Sequence, residues 1–204
     1  MRSSRQVAWA ARAAQILSVR RLDEFAPVWQ FNEVHTITVR ALPDRVYRAI
    51  RGVSAAEVRF FRALTWLRRF GRPGPPSLLN PPAHLPLLEV ATGSGFLLLA
   101  DEPNRELVVG AVVIAPRGAP RPTSPAAFRA LDAPGYAKAT LAFEIEPAAP
   151  AGSLVTTETR VYAADAATRR RFGTYWRIIY PGSAFLRRMW LRAIRRRAED
   201  GDPL

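Results

Sequence analysis

Glu33 and His35 are the residues of this sequence whose types and spacing most directly suggest chemistry. They lie two positions apart in EVHTITVRA (residues 33–41), an alternating segment rich in β-branched residues, which predicts a strand carrying both side chains on one face. A carboxylate beside a histidine fixes the tautomer of the ring and raises its basicity, which suits proton transfer near neutral pH. A structural histidine bonded to a neighbour or to water fits the same pattern, and we favour that interpretation.

Two further strands, YAKATLAFEIEPA (residues 136–148) and SLVTTETRVYAA (residues 153–164), are predicted to pair through a turn near Pro150. In the first strand the apolar side chains alternate with polar ones, so one face of the pair is apolar. If the turn pairs even positions with even positions, this apolar face combines Leu141, Phe143 and Ile145 with Thr157, Thr159 and Val161.

Glu158 and Arg160 then lie on the opposite, solvent-facing side of the second strand as an ion pair. A slip of one residue would instead turn both side chains inward. There they would orient a carboxylate or an enolate of a ligand. We favour the solvent-facing placement.

Other chemistries are excluded by residue types that the sequence lacks. Cysteine is absent, which excludes disulfides, thiolate catalysis and cysteine metal sites, and the only histidines are His35 and His84. No Walker-type glycine–lysine motif is present, and GSGF (residues 93–96) lacks the frame of a nucleophile elbow. We therefore expect no metal and no cofactor.

The remaining patterns predict the elements that position these residues. Two helices should follow the first strand, one beginning at Pro43 and one over residues 58–70 after a Ser54–Glu57 capping box. Residues 96–115 read as two strands around a turn at residues 102–105, and Ser124 is a candidate N-cap.

The C-terminal part is predicted to be helical in two segments. Asp165 should cap the first segment, Pro181 and Gly182 should interrupt it, and Ser183 should cap a second that runs to about Ala198. In the second segment, one stripe at helical spacing consists of Leu186, Met189, Trp190, Ala193 and Ile194. The arginines lie on or toward the other side, which indicates a solvated face behind a buried stripe.

Length and charge bound the organisation of the chain. Its 204 residues suit one domain over residues 23–198, with a basic leader or short helix over residues 1–22 and a disordered tail over residues 199–204. The start resembles a signal peptide, but Arg12 interrupts its apolar stretch, so we expect a cytoplasmic protein. The formal net charge of +13 comes almost entirely from arginine, Lys138 being the only lysine. Codon bias would produce this pattern, so charge alone is weak evidence for a polyanionic partner.

The order of strand, two helices, antiparallel strands and long C-terminal helix resembles the SRPBCC superfamily, also called START-like, and more closely a bacterial branch of it. The stretches that carry the resemblance are FNEVHTITVRALPDRVYRAI, GFLLLADEPNRELVVGAVV, TTETRVYAADAATRRRFGTYWRIIYPGS and LRRMWLRAIRRRAE. The resemblance implies an α+β helix-grip fold, in which a curved antiparallel sheet wraps around the C-terminal helix and encloses an apolar cavity. Because this chain has five clear strands, fewer than fuller members, we expect a shallower or partly closed cavity.

On this basis a ligand pocket is expected between the sheet and the C-terminal helices. The strand residues assigned to it are Leu141, Phe143, Thr157 and Thr159, and the helix residues are Tyr175, Trp176 and Trp190, although aromatic residues at this spacing are also typical of simple core.

Three functions stay open. The preferred one is binding of a small hydrophobic molecule, such as a lipid or a polyketide-like compound, without chemistry. The second is a cyclase- or dehydratase-like enzyme in which His35, aided by Glu33, moves a proton. The third is association of the arginine surface (residues 169–171 and 187–197, with the N-terminal arginines) with anionic membrane, or less readily with nucleic acid.

Overall fold

The computed structural model describes residues 20–61, 65, 77 and 80–200. In chain order, its elements are α1 (Arg21–Phe25), β1 (Phe31–Val39), α2 (Pro43–Gly52), α3 (Leu87–Gly93), β2 (Leu97–Glu102), β3 (Glu106–Ile114), α4 (Pro125–Ala130), β4 (Ala137–Ala148), β5 (Gly152–Ala163) and α5 (Ala166–Asp200).

The strands form one antiparallel sheet in the order β1-β5-β4-β3-β2. This curved sheet packs against the long helix α5, so the predicted α+β class and its architecture are confirmed. The predicted register is also correct, because Leu141 pairs with Thr159 and Phe143 pairs with Thr157.

The inner face of the sheet, toward α5, carries the larger core. Odd-numbered residues of β4 and β5 pack there against α2 and the second half of α5, whose predicted stripe is buried at Met189, Trp190, Ala193 and Ile194. Leu186 is partly buried against the same core. The stripe therefore anchors α5 to the sheet, as the helical spacing predicted.

The outer face of the sheet is covered by α1 and α4, which bury a second apolar cluster. Gly110 permits this contact, because a Cβ atom there would lie 2.7 Å from the Phe128 ring of α4 and 2.6 Å from Leu99. As predicted, Ser124 caps α4, its hydroxyl accepting from the Ala127 N–H. Helix α1 begins inside the expected leader, and Leu22 is fully buried, so the packed chain starts earlier than residue 23.

The predicted break at Pro181 is absent. Helix α5 runs through Pro181 as one element of 35 residues, and it includes Glu199 and Asp200 of the expected tail. Asp165 does cap its start, accepting from the backbone N–H groups of Ala167 and Thr168.

The Ser54–Glu57 pair forms one of the two hydrogen bonds of a capping box, from the Ser54 N–H to the Glu57 carboxylate. The Glu57 carboxylate accepts from the N–H and the hydroxyl of Ser54, but the backbone here is a turn. Most of the helix predicted over residues 58–70 lies outside the described residues, as do residues 1–19 and 201–204. None of the helices within the described ranges combines the length and the hydropathy that a bilayer crossing requires.

Candidate functional site

A cavity of about 490 Å³ separates the first half of α5 from the inner face of the sheet, and we call it the groove. The second half of α5 packs directly on β4 through Trp190 and Phe143, whereas the first half contacts β1 through Phe172 and Phe31 and leaves the groove over β4 and β5. On the sheet side, the groove is lined by Phe96, which precedes β2, and by strand residues Val113, Ile114, Ala139, Thr140, Leu141, Thr159 and Val161. From α5 it is lined by Arg171, Phe172, Tyr175, Trp176, Ile179, Ser183 and Arg187.

Four of the predicted pocket residues, Leu141, Thr159, Tyr175 and Trp176, do line the groove. The other three, Phe143, Thr157 and Trp190, are buried in the packed core beyond its end. The rings of Phe143 and Trp190 lie 5.3 Å apart in an edge-on contact, which fills the space that a cavity would need. The groove is therefore shorter than the predicted pocket.

Sequence reasoning missed several lining residues. Ile179 lies four residues after Tyr175, so the helical spacing used for the C-terminal stripe could have identified it. Phe96 and Val113 lie at the ends of β2 and β3, where the sequence carried no signal that these strands reach α5.

Glu33 and His35 do lie together, as predicted. The His35 Nε2 atom is 2.8 Å from Glu33 Oε1, and the Glu33 side chain is only 1% exposed. The other carboxylate oxygen, Oε2, accepts a hydrogen bond of 3.0 Å from the Ser183 hydroxyl. This bond replaces the predicted capping role of Ser183. Because Ser183 lines the groove, one buried carboxylate links the histidine to a hydroxyl at the cavity wall.

Glu158 and Arg160 face away from the groove, so neither can orient a ligand inside it. The expectation that they face solvent is nevertheless wrong, because each residue is only 5% exposed. Residues 20–30 cover them. Arg160 donates to Glu158 Oε1 at 2.6 Å, to Asp23 Oδ1 at 2.6 Å and to the Ala26 carbonyl at 2.9 Å.

This covered ion pair belongs to a larger outer-face network. Arg20 donates to Glu158 Oε2 at 2.8 Å and lies 3.0 Å from a Glu144 carboxylate oxygen. Burial alone would raise the pKa of Glu158, but the hydrogen bonds from Arg160 and Arg20 outweigh it and lower that pKa. The network fastens the N-terminal segment to the sheet and presents no group to a ligand.

A smaller outer-face cavity, of about 280 Å³, lies beside Lys138. The Lys138 ammonium donates to the carbonyls of Phe128 and Arg129 at the C-terminal end of α4. Burial lowers the pKa of Lys138. Its hydrogen bonds assign it a structural role. No cluster of potential metal ligands occurs in the part of the chain that the structure describes.

No family model matches the sequence, and no curated protein does. Similar solved structures include protein MLL2253 from Mesorhizobium loti, with 16% identity over 84% of this chain and 99% of that chain and a TM-score of 0.41. Another is TTHA0849 from Thermus thermophilus, with 10% identity over 82% of this chain and 97% of that chain and a TM-score of 0.35. Neither likeness bears on a ligand or a reaction.

Proposed function

We propose that this chain is a START-like domain that binds a small hydrophobic molecule, lipid or polyketide-like, in the groove. The observation that carries the proposal is the cavity of about 490 Å³, whose walls are mostly aliphatic and aromatic side chains. Ligand sites typically combine such walls with a few polar groups in a cavity of a few hundred cubic ångströms. The absence of cysteine fits a reducing compartment, so we place this binding in the cytoplasm.

The polar groups of the groove suggest how a ligand would be oriented. Ser183 and Thr159 supply hydroxyls, and Thr159 stands opposite Glu33 in the pairing of β1 with β5. The Ser183 hydroxyl donates a hydrogen bond to the buried Glu33 carboxylate, so the hydroxyl oxygen can accept one from a ligand. A mostly apolar ligand with one hydroxyl would place that group here.

Filling the groove tests the proposal. Ala139 lines it from β4, so Ala139→Phe should occupy part of the cavity and exclude the ligand. We expect native mass spectrometry of protein from a lipid-rich host to show a bound small molecule on the wild type and none on this variant. Titration with a dansylated fatty acid should show affinity reduced by roughly tenfold or more, the effect of about 1.4 kcal/mol of steric cost.

Ala126→Phe is the matched control, because Ala126 is exposed on α4 and lines no described cavity. It should bind like the wild type. Equal binding by both variants, or no binding by the wild type across fatty acids, sterols and aromatic polyketides, would contradict the proposal.

A second candidate function is proton transfer by His35 and Glu33 on a carbonyl compound in the groove. The observation that favours it is the Ser183 hydroxyl, which reaches from the groove wall to the Glu33 carboxylate bonded to His35. The hydroxyl and the carboxylate would pass a proton between the ligand and the imidazole.

The replacement of the α-protons of ketones by deuterium in deuterated water tests this candidate. We expect His35→Gln and Ser183→Ala each to reduce the exchange catalysed by wild-type protein by roughly 100-fold, the lower range of general acid–base contributions. His84→Gln is the matched control and should not change the rate. Exchange that persists in both test variants, or its absence in the wild type, would exclude proton transfer by this pair.

A further inference from the structure

The outward side of α5 carries exposed apolar residues around Pro181, and we call it the α5 outer face: Arg170, Arg177, Ile178, Pro181, Phe185 and Arg188. Ile178 is 76% exposed and Phe185 is 40% exposed, although the opposite side of the helix is packed. Their spacing of seven residues places them on one face, two turns apart. Phe60, also exposed, adjoins this face, with its ring centroid 6.1 Å from that of Phe185.

The charge of α5 has one sign over most of its length. Between Asp165 and Glu199 the sequence contains ten arginines and no acidic residue. Arg170, Arg177 and Arg188 are all exposed and surround the two apolar side chains. This face therefore combines an apolar centre with a cationic rim.

The face borders the groove. Tyr175 lines the groove and is also 41% exposed, and Ile179, which lines the groove too, directly follows Ile178 in the helix. A molecule leaving the groove beside Tyr175 would thus meet the surface on which Ile178 lies.

We propose that the α5 outer face docks on the surface of an anionic phospholipid membrane. Exposed isoleucine and phenylalanine would enter the boundary between headgroups and acyl chains, while the arginines would pair with phosphates, as in interfacial amphipathic helices. A nucleic-acid surface fits less well, because its phosphates offer no apolar contact for Ile178. The docking does not require an occupied groove, but its use for ligand exchange rests on the proposed function.

Flotation with vesicles tests the docking. We expect the full chain to float with vesicles of phosphatidylcholine containing phosphatidylglycerol, and not with phosphatidylcholine alone. Ile178→Ser should weaken binding roughly fivefold to tenfold through lost apolar burial. Arg177→Glu should weaken it roughly tenfold or more, because each cation near an anionic bilayer contributes to attraction.

Matched controls lie elsewhere on the surface. Leu42→Ser removes an apolar side chain that is 57% exposed at the start of α2, and Arg117→Glu makes the same change of charge in an exposed loop. Both should float like the wild type. All four variants should keep the circular dichroism spectrum of the wild type, since the changed side chains are on the surface.

Three results would overturn the docking. The first is no flotation of the wild type with anionic vesicles, and the second is an equal loss of flotation in the control variants. The third is normal flotation of Ile178→Ser together with a loss in Arg177→Glu. The last would indicate a general polyanion surface, with nucleic acid as the alternative partner. Ala139→Phe separates the two proposals, because it should float normally even though its groove is filled. Flotation without ligand retention in the wild type would leave the docking standing and remove the groove function.

Discussion

Glu106 shows how a single buried carboxylate can position a whole segment. It is 2% exposed at the start of β3 and accepts from the backbone N–H groups of Arg21, at 2.6 Å, and Leu22, at 2.9 Å. These N–H groups open helix α1 and have no partner within it, so the carboxylate supplies the bonds that a short helix cannot make for itself.

Glu106→Ala should release residues 20–30 from the sheet. Hydrogen bonds to a charged group contribute about 1.5–3 kcal/mol, so we expect a loss of this order in the free energy of unfolding. Hydrogen exchange measured by mass spectrometry should become faster in residues 20–30 while β4 and β5 stay protected. Glu146→Ala, which removes an exposed glutamate of β4, is the control. Uniformly faster exchange across the sheet would show that Glu106 supports the core and not the segment.

For Glu158 and Arg160, the sequence predicted the face of the strand correctly but not the burial of the side chains. Alternation placed them correctly on the face opposite Phe143, because strand periodicity depends only on neighbouring residues. Their burial depends on residues 20–30, which lie 128 to 140 positions away in the sequence. Within that segment the centroid of the Trp29 ring lies 3.9 Å from the Arg160 guanidinium. No local pattern in residues 20–30 indicates that this segment packs over Glu158 and Arg160.

At the scale of elements, the N-terminus of α5 is stabilised by the cap that Asp165 forms. Asp165 accepts from the Thr168 hydroxyl at 2.6 Å and from the Gly135 N–H at 2.7 Å, besides the two N–H groups of the helix itself. These bonds, with the Thr168 hydroxyl contributing most, hold the pKa of Asp165 far below its ordinary value of 3.8. The cap thus joins α5 to the loop before β4.

The cap should make stability depend on pH in acid. Because the pKa of Asp165 is lower in the folded state, its contribution is fully present above the ordinary value of 3.8 and decreases as pH falls below it. Asp165→Asn keeps an acceptor but does not titrate. We therefore expect the melting temperature of the wild type to fall more between pH 5 and about pH 2 than that of Asp165→Asn.

Asp132→Asn is the control for this comparison, and it should follow the wild type between the same pH values, since Asp132 lies outside the cap. Parallel melting curves for wild type and Asp165→Asn would mean that the carboxylate is not held by the cap. Thermal unfolding followed by circular dichroism measures all three proteins.

The continuity of α5 could not be predicted from its sequence. Proline inside a helix removes one hydrogen bond and usually ends or kinks the helix, so a break at Pro181 was the expected outcome. Pro181 is exposed, however, and buried Phe172 and Trp190 hold the helix to the protein on either side of it. Tertiary packing here outweighs local preference.

At the scale of the molecule, the α+β class and the pairing of β4 with β5 follow from patterns of two and 3.6 residues. The expectation of a cavity between the sheet and the C-terminal helix came from the resemblance to START-like proteins. The depth of that cavity does not follow from these patterns. Thr157 and Phe143 share a face with the groove residues Thr159 and Leu141, yet they lie beyond its end. How closely a helix approaches a sheet is decided by the fit of side chains such as Trp190, and sequence periodicity contains no information on that distance.

The sheet order also sets a sequence of events during synthesis. Strand β5 lies between β1 and β4. When the ribosome has completed β4 but not yet β5, strands β2, β3 and β4 can already pair as a meander. Strand β1 has no strand beside it at that point. Translation of β5 then joins β1 to the sheet and supplies Glu158 and Arg160, the anchors of residues 20–30. The groove needs α5 as its second wall, so the nascent chain acquires its binding cavity only after every strand has been made.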